Sequence, residues 1–136
     1  KEAAIETAVR IGAPVPLVLG VTVLTSMGQD DLSRIGVFCP LQEQVLRLCA
    51  LAQEAGLDGV VCSAHEISAI RRQCGNDFVL VVPGIRFSEE TKGDQKRIAT
   101  PRQAIELGAT YLVIGRALTA AADPERAWRT IEKELT

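Results

Sequence analysis

Apolar positions along the chain switch back and forth between helical and extended spacing. "AAIETAV", near the start, has helical spacing and stops at Gly12. "PLVLGVTVLTS" (16–26) is a near-continuous apolar, β-branched run, the pattern of a strand buried on both faces. "LQEQVLRLCALAQEAG" (41–56) returns to helical spacing, with Val45, Leu48, Cys49 and Ala52 on one side and Gly56 as its stop. "DGVVCSA" (58–64) predicts a second strand, "HEISAIRRQCG" (65–75) a helix with Ile67, Ile70 and Cys74 on one stripe, and "DFVLVVPGI" (77–85) a third strand. A charged stretch from Arg86 to Arg97 follows. Thr100-Pro101-Arg102-Gln103 then has the form of a capping box: Thr as the N-cap, Pro at the first helical position, Gln reaching back. That helix ends at Gly108. "TYLVIGRAL" (110–118) predicts a fourth strand, and Asp123-Pro124 caps a last helix whose inner face carries Trp128, Ile131 and Leu135.

The fold class this order predicts is α/β, a helix followed by four strand–helix units. Apolar strands separated by helices pair in parallel through right-handed crossovers. Two architectures satisfy that order, an open doubly wound sheet and a (β/α)8 barrel. A barrel needs eight units and about 250 residues. The chain has 136 residues and supplies four units, so as a barrel it is half of one. It begins on Lys1 within a helical pattern, which predicts further chain upstream.

Composition narrows the function classes. The 47% hydrophobic content is ample for a core, and no apolar run is long enough to span a bilayer. A net charge of -2 gives no general attraction to nucleic acid or to an anionic membrane surface, so any anion site must come from local placement of Arg and Lys. With 4% aromatic residues, base-stacking platforms are not expected. Cys39, Cys49, Cys62 and Cys74 are widely spaced with no C-x-x-C, and His65 is alone, so the cysteines are read as reduced small hydrophobes of a cytoplasmic protein.

In either architecture ligands bind at the carboxyl ends of the strands. Those ends read Thr25-Ser26, Cys62-Ser63, Gly84-Ile85-Arg86 and Gly115-Arg116. Glycine lets a backbone come close to a ligand, and arginine offers a planar fork suited to phosphate oxygens. A single arginine at a strand end is more often a solvated side chain; two such ends in consecutive units point to an anion. "IGRALTAAADP" leaves room for the short extra helix that accompanies barrel phosphate sites. No dinucleotide or P-loop glycine motif is present. The remaining polar residues have simpler readings: His65 as a solvated or capping residue, Ser63 as a small strand-end residue, Asp58 as a turn residue, Cys62 as a thiol without a base, and Lys92, Lys96 and Arg97 as solvated in an open loop, with any of the three able to approach phosphate on closure.

"VTVLTSM", "GLDGVVCSA", "VVPGIR", "GDQKRIATP" and "YLVIGRAL" together closely resemble the C-terminal half of the bacterial orotidine 5'-phosphate decarboxylase family, over essentially the whole chain. The resemblance implies a (β/α)8 barrel, a homodimer, and conversion of orotidine 5'-phosphate to UMP and CO2 with neither metal nor organic cofactor. It implies that Arg86, Gln95, Gly115 and Arg116 hold the substrate, chiefly its phosphate, that Thr25 contacts it near the pyrimidine, and that the stretch 86–97 closes over the phosphate. The family's Asp-x-Lys-x-x-Asp-Ile-Pro motif, whose lysine protonates the C6 carbanion, is absent. Asp94-Gln95-Lys96 mimics its first half, but Ala99 stands where the second aspartate should be. The resemblance therefore implies no catalytic residue in this chain, residues 1–136 as the C-terminal half of one barrel domain, no activity from the chain alone, and open edges that need self-association or a partner half. Two readings compete: another phosphate-binding barrel such as a sugar-phosphate synthase or epimerase, and a non-catalytic phosphate-binding module.

Overall fold

The computed structural model describes residues 1–86 and 97–135. Four strands, β1 (Leu19–Val21), β2 (Gly59–Val61), β3 (Val79–Val82) and β4 (Tyr111–Leu112), form one parallel sheet in the order β1-β2-β3-β4. The register pairs Leu19 with Gly59, Gly59 with Val79, and Val81 with Tyr111. Chain order equals spatial order, as successive right-handed units of a barrel wall require. The helices are α1 (Glu2–Arg10), α2 (Gln29–Arg34), α3 (Leu41–Glu54), α4 (Ile67–Cys74), α5 (Pro101–Leu107), α6 (Arg116–Thr119) and α7 (Pro124–Leu135).

The helix boundaries follow the chemistry read from the sequence. Thr100 Oγ1 accepts from Gln103 N at 3.3 Å, and Gln103 Oε1 accepts from Thr100 N at 3.0 Å, closing the capping box at the head of α5. Asp123 Oδ1 accepts from Arg126 N at 3.0 Å at the head of α7. Gly75 and Gly108 end α4 and α5 with φ of 83° and 106°, the left-handed region that a side chain disfavours.

Four expectations are corrected. The strands are much shorter than the apolar runs. Pro14 and Pro16 have no N–H to donate before β1, and after Thr22, whose N–H still donates to Val61 O at 3.2 Å, the chain enters a turn closed by Met27 N donating to Leu24 O at 2.9 Å. The strands are also not buried on both faces. Val60, Leu80 and Val82 are buried with Val45 and Cys49 of α3 and Ile67 and Ile70 of α4, whereas Val61, Val79 and Val81, on the opposite face, are only half-buried. Helix α2 lies in a stretch where the apolar pattern predicts no element; Asp31 Oδ2 caps it by accepting from Gly28 N at 2.8 Å. Trp128 is 50% exposed, and Leu135 is exposed too, so Ile131 is the one fully buried side chain of α7 among the described residues; the Trp128 indole donates to Glu132 at 2.9 Å.

Asp58 does more than turn the chain. It accepts from Val18 N at 2.8 Å and pairs with Lys1, and the Lys1 ammonium, then the Val18 bond, hold its carboxyl below the usual range. Arg71 pins the amino ends of β3 and β4, donating to the carbonyls of Gly75, Asn76, Phe78 and Gly108 and to Thr110 Oγ1.

All four cysteines are free thiols; Cys49 and Cys62 are buried, Cys39 and Cys74 partly so. Burial pushes Cys62 up to about 12, with repulsion from Glu66 adding to it; burial and then Cys74 do the same for Cys49. Two outcomes are expected. At pH 8 a thiol-alkylating reagent followed by peptide mass mapping should leave Cys49 and Cys62 unmodified until denaturant is added. Their folded values lie above the ordinary 9.0, so the unfolded chain sheds thiol protons first. The stability they contribute is complete below about pH 9 and is lost as the pH climbs toward 12, which urea titrations across that range read as a falling midpoint.

Gly59 pairs with Val79 in the β2–β3 ladder, and a Cβ there would clash with Val79 O, a backbone atom that cannot swing away. Gly59→Ala is expected to destabilise the chain by about 3 kcal/mol, measured by urea denaturation, by prising open the β2–β3 ladder.

Candidate functional site

Because all four strands run the same way, their carboxyl ends lie on one side of the sheet. The residues singled out from the sequence come to that side. Thr25 follows β1 in the Leu24–Met27 turn and is 9% exposed. A narrow cleft of about 180 Å³ opens beside it, lined by Val23, Thr25, Ser26, Val61, Cys62 and Pro83 among others, at the ends of β1, β2 and β3. Its walls are mostly apolar with Thr25 and Ser26 as polar points, a surface suited to a flat ring with a few hydrogen-bonding edges. The Cys62 thiol on its wall is protonated near neutral pH, since burial raises it, and this excludes it as a resting thiolate nucleophile.

Arg86 follows β3 and is partly buried. Its own N–H donates to Ala99 O at 3.0 Å and Ile85 bridges Ala99 in parallel, so the β3 end is held against the segment that enters α5. The Arg86 guanidinium donates back to Ile85 O at 2.8 Å through Nη1. Gly115 and Arg116 follow β4. Gly115 O accepts from Leu118 N at 2.9 Å and Thr119 N at 3.0 Å, which makes the predicted short helix, α6. A Cβ at Gly115 would meet nothing within 4 Å, so this backbone faces open space at the carboxyl side of the sheet. Arg116 is exposed. Arg86, Gly115 and Arg116 lie outside the lining of the Thr25 cleft. Gln95, together with Lys92 and Lys96, lies outside the described residues.

Sequence reading missed the most constrained polar group at this end. Arg97, expected to be solvated, is 7% exposed. Its Nη1 pairs with Glu66 Oε1 at 2.5 Å, and its Nη2 donates to Val23 O at 3.0 Å and Leu24 O at 2.9 Å. Glu66, 3% exposed, accepts from Ser63 N at 3.1 Å through Oε2, while Ser63 Oγ accepts from His65 N at 3.2 Å. Glu66 had a legible signal, because Ser63-Ala64-His65-Glu66 is a capping-box sequence. Arg97 had none, since it stands among charged neighbours. His65 is exposed, as expected, but not simply solvated: its Nε2 lies 3.1 Å from Ile98 O.

Comparison with known proteins bears on what this end of the sheet serves. Residues 1–131 match the profile of the Orotidine 5'-phosphate decarboxylase / HUMPS family. Among curated relatives, an orotidine 5'-phosphate decarboxylase of Shewanella sediminis (strain HAW-EB3) is 53% identical over 135 residues, covering 99% of this chain and 58% of that protein. That of Glaesserella parasuis serovar 5 (strain SH0165) is 53% identical over 124 residues, covering 91% and 54%. The chain thus spans little more than half the length of these relatives. Among solved structures, orotidine 5'-phosphate decarboxylase from Lactobacillus acidophilus superposes with a TM-score of 0.75 at 40% identity, over 92% of this chain and 51% of that one. An uncharacterized conserved protein from Geobacillus kaustophilus superposes with a TM-score of 0.70, also at 40% identity. The four-stranded wall is therefore about half of a (β/α)8 barrel, and the chain belongs to the orotidine 5'-phosphate decarboxylase / HUMPS family.

Proposed function

We propose that this chain is the C-terminal half of an orotidine 5'-phosphate decarboxylase and supplies the part of its site that grips the nucleotide. What supports the reading is that Thr25, Arg86, Gly115 and Arg116 each follow a strand at the carboxyl side of one parallel sheet, in a chain of this enzyme's family. In this reading Arg86 and Arg116 pair with the 5'-phosphate, the Gly115 backbone comes close to it, Gln95 joins them, and Thr25 meets the pyrimidine beside the apolar cleft. Charge-assisted bonds to a phosphate drawn out of water favour the nucleotide over the nucleoside. Phosphate binding energy then supports the reaction at the distant ring.

The reaction releases CO2 from the substrate and leaves a carbanion at C6 that takes up a proton. The chain has no Asp-x-Lys-x-x-Asp motif, so the acid comes from the other half of the barrel in this reading. The same half pairs with the edges of β1 and β4 and covers the exposed Val21, Tyr111 and Val113. A homodimer of complete barrels in the cytoplasm belongs to the same proposal.

Two measurements test it. In calorimetric titration the chain should bind UMP at least tenfold more tightly than uridine, and Arg86→Ala should remove about that advantage while leaving uridine unchanged, the scale of one charge-assisted hydrogen bond. Equal affinity for UMP and uridine sinks the phosphate assignment. Following the absorbance of orotidine 5'-phosphate, the chain alone should give no turnover above background; turnover would put the catalytic acid within these residues.

A further inference from the structure

One guanidinium joins three strand ends of this site. Arg97 reaches back to the Val23 and Leu24 carbonyls just before Thr25, and sideways to Glu66, which in turn holds the Ser63 amide after β2. Along its own chain Arg97 lies two residues before Ala99, whose carbonyl accepts from the Arg86 amide at 3.0 Å. An unbroken path of hydrogen bonds and short backbone therefore runs from the Thr25 turn through Arg97 to the Arg86 strand end. Both members of the pair are almost fully buried, and Arg97 Nε finds no partner among the described residues. A buried ion pair is an inefficient source of stability, and apolar residues of similar size often serve as well or better. What it does supply is direction: the bonds fix two carbonyls and one carboxylate relative to a single planar group.

We propose that Arg97 and Glu66 are positioning residues that set the spacing between Thr25 and Arg86, so that the site selects a ligand carrying a pyrimidine and a phosphate at that separation over either part alone. The inference rests on the assignment of Thr25 to the ring and Arg86 to the phosphate. Neither Arg97 nor Glu66 touches the ligand in this scheme.

The decisive variant is Glu66→Gln/Arg97→Met, which removes the charges together and leaves no lone buried ion. With circular dichroism matching the wild-type chain, UMP affinity should fall about tenfold or more while ribose 5-phosphate affinity is unchanged, because Arg86 itself is intact. Arg97→Lys, which keeps the charge but cannot span the carboxylate and both carbonyls, should fall between. Unchanged UMP binding in the double variant, or a parallel loss for both ligands, overturns the proposal. Hydrogen exchange reads the pair without any ligand. In the double variant amides 23–26, 86 and 98–99 should exchange faster while those of α3 keep their protection; unchanged exchange at the strand ends overturns the proposal. If the wild-type chain binds neither ligand, the nucleotide assignment fails by itself and the exchange arm still decides the role of the pair.

Discussion

The parallel ladder is the constraint on which everything else depends. Each crossover must carry the chain back across the sheet, so helices cover one face and all carboxyl ends emerge together. The ladder continues past the named strands at that end: Thr22 N donates to Val61 O, Cys62 N to Val81 O, and Val113 N to Val82 O. These bonds hold the four strand ends at ladder spacing before any side chain contributes. Gly59 lets β2 and β3 meet without a side chain between them. At the opposite end Arg71 gathers the carbonyls where β3 and β4 begin. The chemistry-bearing side is thus built on backbone hydrogen bonds, and its residues are free to be chosen for a ligand.

How far this was legible in the sequence depended on whether the signal was local. The caps at Thr100 and Asp123 and the glycine stops at Gly75 and Gly108 are one-residue decisions of backbone chemistry, and the structure follows them. Element order and the strand-end placement of Thr25, Arg86, Gly115 and Arg116 follow from the alternation of periods. Helix α2 has six residues and one buried side chain, Leu32, too little to register as a period. The inner face of α7 was misread because amphipathic spacing says that a face exists without saying how much of it is covered; Ile131 is buried and Trp128, one turn away, is not. Strand length was overread for a related reason. Apolar runs mark burial, but a strand lasts only as long as its neighbour can exchange bonds with it.

Arg97 shows the limit most clearly. By composition it is one cation in a charged stretch, and by position it precedes a helix by a few residues. Its partners, Val23, Leu24 and Glu66, are 31 or more residues away along the chain, and only the sheet brings them together. Glu66 was half legible, since Ser63 and Glu66 satisfy a local capping pattern. The second carboxylate oxygen, which meets Arg97, belongs to the tertiary structure.

The net charge of -2 bears on how such a site can be selective. A strongly basic surface would hold any polyanion by its field, with little regard to shape. In the proposed reading attraction comes from individual guanidinium groups at defined places, Arg86 folded against its own strand end and Arg116 after β4. A cation in a fixed place discriminates by distance: under the proposed function, a ligand would gain from it only if its phosphate lay at the right separation from a ring at the other end. Rigidity between the two ends then matters as much as the cations themselves. The buried Arg97–Glu66 pair lies between them and adds side-chain bonds to strand ends that the ladder already holds side by side.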